Sequence, residues 1–354
     1  MNSNLFLVRS RSPLRLGLAG GGTDMESFYN QYGGCVLNAT IDLYACCTIK
    51  PRNNNKIQFV ASDLEEEFTT DVTDYIEPTG QLKLHKAIYN RIIKDYNRGQ
   101  PIGAFKMTTY CDSPPGSGLG SSSTLVVSIV KAYCELLSLP FGDYDIANLA
   151  YQIERKDLSM KGGKQDQYAA TFGGVNFMEF FENERTIINP LKIRNWILSE
   201  LEQSLVLFYT GVSRDSGAII EEQNKNIENH SDLTITSMLE IKKEALEMKE
   251  ALLKGNIAAI ASSMNRGWQA KKNASDKISN SNIDRIYDMV MNAGAMAGKI
   301  SGAGGGGFIM FLVPPSKRMK IIRLLEQERT GRTMPCHFVN EGTQSWKIFK
   351  NNQN

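Results

Sequence analysis

The chain has 354 residues, enough for two domains or for one large domain with a sizeable core. Its 40 basic and 38 acidic side chains leave a net charge of +2, which gives no field that favours nucleic acid or an anionic membrane. No apolar run approaches the roughly 20 residues of a membrane span, and the N-terminus lacks the apolar core of a signal peptide. We therefore expect a soluble cytoplasmic protein that binds neither nucleic acid nor membrane, with its oligomeric state left open.

Strand-like and helix-like segments alternate irregularly in the first half of the chain. Strands are predicted at residues 6–10, 35–39, 44–50, 57–61 and 102–110. Helices are predicted at residues 82–95, 121–137 and 144–158. This irregular order favours an α+β protein over a regular βαβ repeat.

The second half changes character after two predicted strands, at residues 175–179 and 204–209. Long amphipathic helices are predicted at residues 216–227, 233–253, 257–272 and 283–293. A glycine loop at 302–307, a strand from Phe308, a helix at 317–328 and a closing strand near 336–339 complete the chain. The change predicts a second domain that begins around residues 190–200.

The cysteines and histidines do not form a recognisable metal or disulfide pattern. The six cysteines lie mostly in apolar segments without a CxxC pair, so we expect buried, reduced thiols. His85, His230 and His337 are far apart in sequence and lack a metal-ligand spacing.

The segment PPGSGLGSSST, residues 114–124, places glycines and hydroxyls densely ahead of an apolar helix. Gly116, Gly118 and Gly120 allow a tight backbone whose N–H groups can approach an anion. The serines should lie at the helix N-terminus, where unpaired N–H groups and the helix dipole attract negative charge. The pattern predicts a cradle for the phosphates of a nucleotide.

Two better-known glycine loops do not fit. A Walker A loop needs GxxxxGK followed by Ser or Thr, and no Lys follows Gly120. A GxGxxG pattern occurs at Gly302, Gly304 and Gly307, but it leads into a strand, whereas a dinucleotide fingerprint follows a strand and opens a helix. A nicotinamide-dependent oxidoreductase would rest on these three glycines alone.

Near the N-terminus, SPLRLGLAGGGTD, residues 12–24, places Arg15, three consecutive glycines and Asp24 within a few positions. Such a glycine run lets a polyol approach the backbone while the carboxylate accepts hydrogen bonds from two hydroxyls. The alternative is a glycine-rich turn from strand to helix with Asp24 as the helix N-cap.

Two acids in the middle of the chain are candidates for catalysis. Asp166 lies among glycines, aromatics and small residues in KGGKQDQYAATFGGVNF, residues 161–177. Its carboxylate could orient or deprotonate a hydroxyl beside Arg15 or a nearby Lys, or it could cap a helix. Upstream, Glu154 lies on a predicted helix, where it either helps to hold a magnesium ion or faces solvent.

The third glycine cluster, KISGAGGGGFIMFLV at residues 299–313, has four successive glycines before a buried strand. Such a run loses much backbone entropy on folding, which is wasteful unless something must approach the backbone closely. We expect this loop to support the active site from below.

These three glycine segments, in this order and at these separations, resemble the three motifs of the GHMP small-molecule kinases. That family includes galactokinase, homoserine kinase, mevalonate kinase and phosphomevalonate kinase. The resemblance implies an α+β fold of two domains that binds ATP and Mg²⁺. Residues 1–195 would form a ribosomal-protein-S5-like N-terminal domain with the phosphate loop, and residues 196–354 a ferredoxin-like C-terminal domain with extra helices.

Within the family, the chain is similar to sugar kinases that phosphorylate an anomeric hydroxyl, most of all the D-glycero-D-manno-heptose 7-phosphate kinases of bacterial surface-polysaccharide synthesis. LRLGLAGGGTD, FYNQYGGCVLNATIDLYACCTI and FYTGVSRDS carry this resemblance. Gly21 and Gly22 replace the Glu-His pair of galactokinases, which favours a different or larger sugar. The implied reaction converts the heptose 7-phosphate and ATP to the 1,7-bisphosphate and ADP.

The resemblance also implies roles for single residues. Ser122 would bind Mg²⁺ and the β-phosphate, Glu154 would be the second metal ligand, and Asp166 would be the catalytic aspartate. Arg15 would be the cation beside Asp166. The other implied nucleotide-binding residues are Pro115, Gly116, Ser117, Gly118, Leu119, Gly120 and Ser121. The implied substrate-binding residues are Gly21, Gly22, Thr23, Asp24, Arg214, Gly304 and Gly305.

A substrate with a distal phosphate needs a second cationic pocket, preferably with an Arg that makes two parallel hydrogen bonds. The candidates that flank the active-site segments are Arg155, Lys156, Lys161, Lys164 and Arg214. Two other functions stay open: a kinase for an unphosphorylated sugar, such as a fucokinase or an N-acetylhexosamine kinase, and a non-catalytic sugar-binding protein on the same fold. The presence of Ser122, Glu154 and Asp166 together argues against the second.

Overall fold

The computed structural model describes residues 6–212, 216–229, 231–275 and 277–349. The strands of this part are β1 (Phe6–Ala19), β2 (Gly34–Pro51), β3 (Lys56–Ala61), β4 (Glu66–Asp71), β5 (Phe105–Cys111), β6 (Val175–Phe180), β7 (Thr186–Pro190), β8 (Leu205–Tyr209), β9 (Ala297–Ile300), β10 (Phe308–Leu312), β11 (Arg332–Met334) and β12 (Gln344–Phe349).

The helices are α1 (Glu26–Tyr32), α2 (Lys83–Tyr96), α3 (Ser121–Leu137), α4 (Asp143–Gln152), α5 (Gln165–Phe172), α6 (Asn195–Ser204), α7 (Ser216–Glu228), α8 (Asp232–Lys254), α9 (Ile257–Ala274), α10 (Ser281–Asn292) and α11 (Pro315–Leu325). A π-helical turn, Ile153–Asp157, follows α4 directly. The mixture of helices and strands confirms the predicted α+β class.

The strands form two sheets. The first runs in the order β12-β1-β2-β5-β3-β4, with β6 pairing β2 and β7 pairing β6, and the second runs β11-β8-β10-β9. All pairings in the two sheets are antiparallel except that of β3 with β5. The chain therefore builds most of one sheet, then the other, and returns to the first with β12. The division at residues 195–196 stays a prediction.

Strand β2 is longer than the sequence indicated, because the predicted strands at 35–39 and 44–50 are its two halves. The first half pairs with β6 and the second with β5, while β1 pairs along both. A register shift in β1 between Pro13 and Arg15 lies where β2 changes partners. Arg15 thus lies just after an irregularity of a central strand.

The predicted closing strand near residues 336–339 is wrong. That segment makes a single β-bridge, Ile41 with Phe338, and β12 closes the sheet by pairing with β1. Pro335 has no N–H to donate, and the His337 N–H donates to the Asp42 carboxylate at 2.9 Å, so a continuous ladder does not form there.

Helix α3 fixes the position of the phosphate loop. Its apolar side chains pack against β1, β2 and α2, and each contributes roughly 1.5 to 3 kcal/mol by burial. The fully buried ones are Val126, Val127, Ile129, Val130 and Tyr133. Because this face is anchored along two strands, the N-terminus of α3 has a fixed place relative to Arg15.

No helix in the described ranges has both the length and the apolar character needed to cross a membrane. All six cysteines are unpaired, and four are buried, as the sequence predicted: Cys35, Cys47, Cys134 and Cys336.

Candidate active site

The predicted phosphate loop leads directly into α3, which begins at Ser121. The preceding residue, Gly120, has φ 77°, and a Cβ there would lie 3.2 Å from Asp166 Oδ2. Because the N-cap residue is a glycine, no side chain caps α3 from that position, and its first N–H groups can bind an anion. Ser121 Oγ donates to the Pro114 carbonyl at 3.3 Å, which closes the loop.

The third glycine loop, between β9 and β10, packs against the phosphate loop. The Phe308 N–H donates to the Ser117 carbonyl and Ser301 Oγ donates to the Gly118 carbonyl, both at 2.9 Å. A Cβ on Gly118 would lie 2.2 Å from the Ser301 carbonyl oxygen, so only glycine permits this approach. The second sheet therefore supports the phosphate loop through backbone contacts.

Arg15 and Asp166 form an ion pair in the cleft. Arg15 Nε donates to Asp166 Oδ1 at 2.7 Å, and Nη2 lies 2.5 Å from the same oxygen. Arg15 Nη1 donates to the Gly118 carbonyl at 2.6 Å, which ties the pair to the phosphate loop. The Arg15 side chain is 4% exposed and that of Asp166 is 21% exposed, so the carboxylate faces the cleft. The N-cap of α5 is Lys164, so the alternative role of Asp166 as that cap is wrong.

Glu154 is completely buried beside the phosphate loop. Ser122 Oγ donates to its Oε1 at 3.2 Å, and Gln167 Nε2 donates to its Oε2 at 2.5 Å. Glu154 lies in the π-helical turn, which changes the direction of successive side chains relative to an α-helix and also brings Arg155 Nη1 to 3.7 Å from Oε1. The alternative in which Glu154 faces solvent is therefore wrong.

The donor chemistry of Ser122 and Glu154 fits a magnesium ion. Mg²⁺ prefers oxygen ligands and, in phosphate-transfer sites, takes one or two carboxylates together with substrate phosphates. The hydroxyl and the carboxylate meet at the N-terminus of α3, where phosphates are expected. Across the described ranges, no group of three or more His, Cys, Asp or Glu side chains forms a protein-only metal site. Phosphate oxygens would have to complete the coordination.

Asp24 connects the N-terminal glycine segment to α5. Its Oδ1 accepts from the Gly22 N–H at 3.0 Å and from Gln165 Nε2 at 3.2 Å, and its Oδ2 accepts from the Gln165 N–H at 3.0 Å. Burial raises the pKa of this carboxyl, against the lowering effect of the Gln165 N–H. Asp24 thus binds the first N–H of α5, whereas the N-cap of α1 is Met25.

One cleft gathers most of the predicted site residues, with about 970 Å³ of space including its open mouth. Those that line it are Arg15, Gly21, Gly22, Asp24, Gly116, Gly118, Gly120, Ser121, Ser122, Glu154, Asp166 and Gly304. Arg214 lies outside the described residues.

Five predicted residues do not line the cleft. The side chains of Thr23, Ser117 and Leu119 are fully buried, so they shape the loops and do not reach a ligand. Pro115 is exposed outside the cleft. Gly305 is buried, and its N–H donates to the Ile278 carbonyl at 2.8 Å within the protein.

Two of the cations proposed for a distal phosphate, Arg155 and Lys161, line the cleft. Arg155 Nε donates to the Gly163 carbonyl at 3.3 Å and Nη2 to Ser123 Oγ at 3.4 Å. Lys161 is exposed. Arg155 packs against Gly162, which follows Lys161 in the chain, and Gly163 packs on Asp24.

Two other proposed cations, Lys156 and Lys164, are wrong as candidates because they are directed elsewhere. Lys156 pairs with Glu26 at 3.0 Å on the surface. Lys164 is buried with its ammonium 5.0 Å from the ring centre of Tyr29 and 4.9 Å from that of Tyr151.

Lys271, in α9, is a cation of the cleft that the sequence did not reveal. Its Nζ donates to the Gly302 carbonyl at 2.5 Å, and the residue is 8% exposed. Burial and repulsion by Arg15 lower the pKa of Lys271 to about 8. The surrounding sequence, WQAKKN, is typical of an ordinary helix surface, so it contains no local signal. Gln165 and Gln223 also line the cleft without having been predicted.

Comparison with known proteins gives matches to the N-terminal and C-terminal domains of one kinase family. Residues 83–174 match the GHMP kinases N terminal domain, and residues 248–327 match GHMP kinases C terminal. A D-glycero-alpha-D-manno-heptose 7-phosphate kinase from Campylobacter jejuni is 46% identical over 341 residues, which cover 96% of this chain and 99% of that protein.

Solved structures agree with this assignment. A crystal structure of a D-glycero-D-manno-heptose 1-phosphate kinase from Bacteroides thetaiotaomicron is 45% identical, with a TM-score of 0.83 over 97% of this chain and 100% of that one. Lactococcus lactis galactokinase complexed with galactose, at 18% identity, shares the fold with a TM-score of 0.76 over 96% of this chain and 95% of its own. From these similarities along nearly its whole length, we conclude that the chain belongs to the GHMP kinases.

Proposed function

We propose that this chain transfers the γ-phosphoryl group of ATP to the anomeric hydroxyl of D-glycero-D-manno-heptose 7-phosphate, giving the 1,7-bisphosphate and ADP. The observation that carries the chemistry is the Asp166 carboxylate, which Arg15 holds in the cleft that the predicted phosphate loop shares with Gly21 and Gly22. The substrate is suggested by the names of the two similar proteins above, which share a heptose phosphate and differ in the position that they specify.

Phosphoryl transfer asks the protein mainly to align the reactants and to neutralise charge, because the transition state is loose. The first N–H groups of α3 would hold phosphate oxygens, and Arg15 would stabilise the charge on the transferred group. Ser122 and Glu154 would hold a magnesium ion, which would supply positive charge to the phosphates.

Asp166 is placed to accept or orient the proton of the attacking hydroxyl. Arg15 Nε and Nη2 both contact Oδ1, which leaves Oδ2 for the substrate. Oδ2 is also the oxygen nearest Gly120, so the hydroxyl would be next to the phosphate loop. A group in this role contributes about 10²- to 10⁴-fold to the rate.

The sugar would lie against Gly21 and Gly22, where the absence of side chains lets its hydroxyls approach the backbone. Asp24, already fixed by Gly22 and Gln165, has further lone pairs that would accept sugar hydroxyls. Arg155 at the cleft would be the partner of the 7-phosphate, because a guanidinium can bind phosphate with two parallel hydrogen bonds.

We further propose that the reaction takes place in the cytoplasm, where ATP is available, and serves nucleotide-activated heptose synthesis for bacterial surface polysaccharide. The 7-phosphate remains in the product, so the next reaction would act on a sugar bisphosphate.

The test is ADP release with ATP and Mg²⁺ across D-glycero-D-manno-heptose 7-phosphate, free heptose, mannose, fucose, galactose and N-acetylhexosamines. We expect strong preference for the heptose 7-phosphate, and phosphorus NMR of the product should show a new anomeric phosphate. If only a free sugar is turned over, the proposed substrate is wrong and the proposed mechanism still stands. No turnover with any sugar would favour a non-catalytic sugar-binding protein. An Asp166→Asn variant serves as the background control.

A further inference from the structure

We infer that Lys271 is a third phosphate-binding cation of this cleft, beside Arg15 and Arg155, so that the C-terminal half of the chain contributes a charge to the reaction as well as backbone support. The role rests on the kinase activity proposed above, and it adds a residue that touches the substrates.

Lys271 lies at the wall of the cleft, where its ammonium can reach a bound ligand. It lies near the end of α9, and its Nζ reaches the Gly302 carbonyl at 2.5 Å in the third glycine loop. It lines the same cleft as Arg15 and Asp24. In the described part of the chain no carboxylate lies within 4 Å of its Nζ, so Lys271 is not neutralised by an ion pair.

The charges around Lys271 favour an anion in the cleft. Arg15 from β1 and Lys299 from β9 face it, and burial lowers the pKa of Lys299 well below the usual value of a lysine. Asp24 and Asp166 face Lys271 or Arg15 as carboxylates. Among the described residues that line the cleft, the cations are Arg15, Arg155, Lys161 and Lys271 and the carboxylates are Asp24, Glu154 and Asp166, an excess of one positive charge. Because Arg15 and Lys271 are nearly buried, this excess is costly without a bound anion, and a phosphate group would offset it.

Lys299 does not compete for this role, because it is already bound within the protein. Its Nζ donates to the carbonyls of Gly17 and Leu18 at 2.8 and 3.1 Å, and it does not line the cleft. Among the described residues, Lys271 Nζ donates to the Gly302 carbonyl alone, so it retains donors for a ligand. Because burial lowers its pKa to about 8, an anion that binds beside it also restores the charged form.

The chain offers a matched control in the next residue. Lys272 lies on the same helix with its ammonium 5.8 Å from the ring centre of Trp268 and 5.9 Å from that of Tyr287, and it does not line the cleft. Lys272→Met therefore makes the same chemical change on the same helix without altering the cleft.

The first experiment compares steady-state kinetics of Lys271→Met, Lys271→Arg and Lys272→Met with the wild-type chain. We expect kcat/KM for the sugar phosphate to fall roughly 10- to 100-fold in Lys271→Met, the effect of losing a charged hydrogen bond. Lys271→Arg should recover part of this loss, and Lys272→Met should stay within about twofold of wild type. A Lys271→Met enzyme within about twofold of wild type would overturn the inference.

The kinetic constants identify which phosphate Lys271 contacts. A contact with the sugar's own phosphate raises KM for the sugar phosphate and has no effect with the free sugar. A contact with the transferred phosphoryl group lowers kcat with both sugars and leaves both KM values unchanged. Either pattern supports a phosphate-binding role.

A pH profile separates this role from simple anchoring of Gly302, and it does not depend on the Met variant folding. Lysine carries its charge below its pKa, so wild-type kcat/KM should decline as the pH rises through about 8. In Lys271→Arg the guanidinium stays charged, so the decline should move to higher pH. The same decline in both enzymes would overturn the inference. Absence of wild-type turnover would instead overturn the proposed function, together with this role.

Discussion

Replacing Asp166 by Asn removes one charge and keeps the shape of the side chain. In the folded protein its Oδ1 receives two guanidinium contacts from Arg15, at 2.7 and 2.5 Å, and the Arg15 side chain is 4% exposed. In the variant the amide oxygen can still accept from Arg15, as the Gly118 carbonyl does, but the negative charge that offsets the guanidinium is lost. Removing one member of a buried pair costs 3 to 5 kcal/mol, and the 21% exposure of Asp166 places the loss at the lower end, about 3 kcal/mol.

We also expect kcat to fall roughly 10²- to 10⁴-fold, because the variant lacks the proposed acceptor of the hydroxyl proton. ADP release at saturating ATP and sugar phosphate measures this, urea unfolding measures the stability, and calorimetry measures ADP affinity. ADP affinity should not change, because backbone N–H groups supply the cradle. An Asp166→Asn enzyme with wild-type kcat would refute the proton-acceptor role, and unchanged unfolding would refute the energetic account of the ion pair.

Further predictions concern the metal, the loop packing and the response to acid. Glu154→Gln should raise the Mg²⁺ concentration for half-maximal activity about tenfold or more, measured by titration at fixed ATP, and an unchanged midpoint would contradict Glu154 as a ligand. Gly163→Ala places a Cβ 1.9 Å from Asp24 Oδ2 and should lower the free energy of unfolding by about 1 to 3 kcal/mol, measured by urea unfolding. Gly142→Ala is the control, because the nearest atom to its Cβ is 3.6 Å away. Equal urea midpoints for the two variants would contradict the packing at Gly163. Burial lowers the pKa of His85 from 6.5 to about 4 in the folded chain. The free energy of unfolding should therefore rise with pH across that interval, by up to ~1.4 kcal/mol per pH unit. His85→Asn should lose this slope, and an unaltered slope would refute the lowered pKa of His85.

The backbone conformation of the glycine loops was predictable because it depends on local chemistry. Gly118 and Gly120 adopt positive φ, which glycine reaches without strain, and the sequence shows these positions directly. The helical spacing after Ser121 likewise predicted α3 and the direction of its N-terminus. These local features were enough to place the predicted phosphate loop at the N-terminus of α3.

Other parts of the site depend on packing between distant segments, which the sequence does not display. Lys271 follows an ordinary helical pattern, and only the approach of α9 to Gly302 makes it a cation of the cleft. The burial of Glu154 arises from a π-helical turn that a 3.6-residue period does not predict. Lys164 has the positive charge that a phosphate ligand needs, but the aromatic rings of Tyr29 and Tyr151 lie beside its ammonium.

The pairing of β12 with β1 has a consequence for biosynthesis. The partner of one edge of β1 lies at Gln344–Phe349, more than 300 residues after β1 ends. At about 5 to 20 residues per second, a ribosome needs roughly 15 s to 1 min to reach it. During that interval the edge of β1 is an unpaired template for other strands, so a nascent chain is exposed to aggregation until β12 leaves the ribosome. Delayed release or truncation of the last strand should therefore lower the yield of soluble protein before it affects any residue of the cleft.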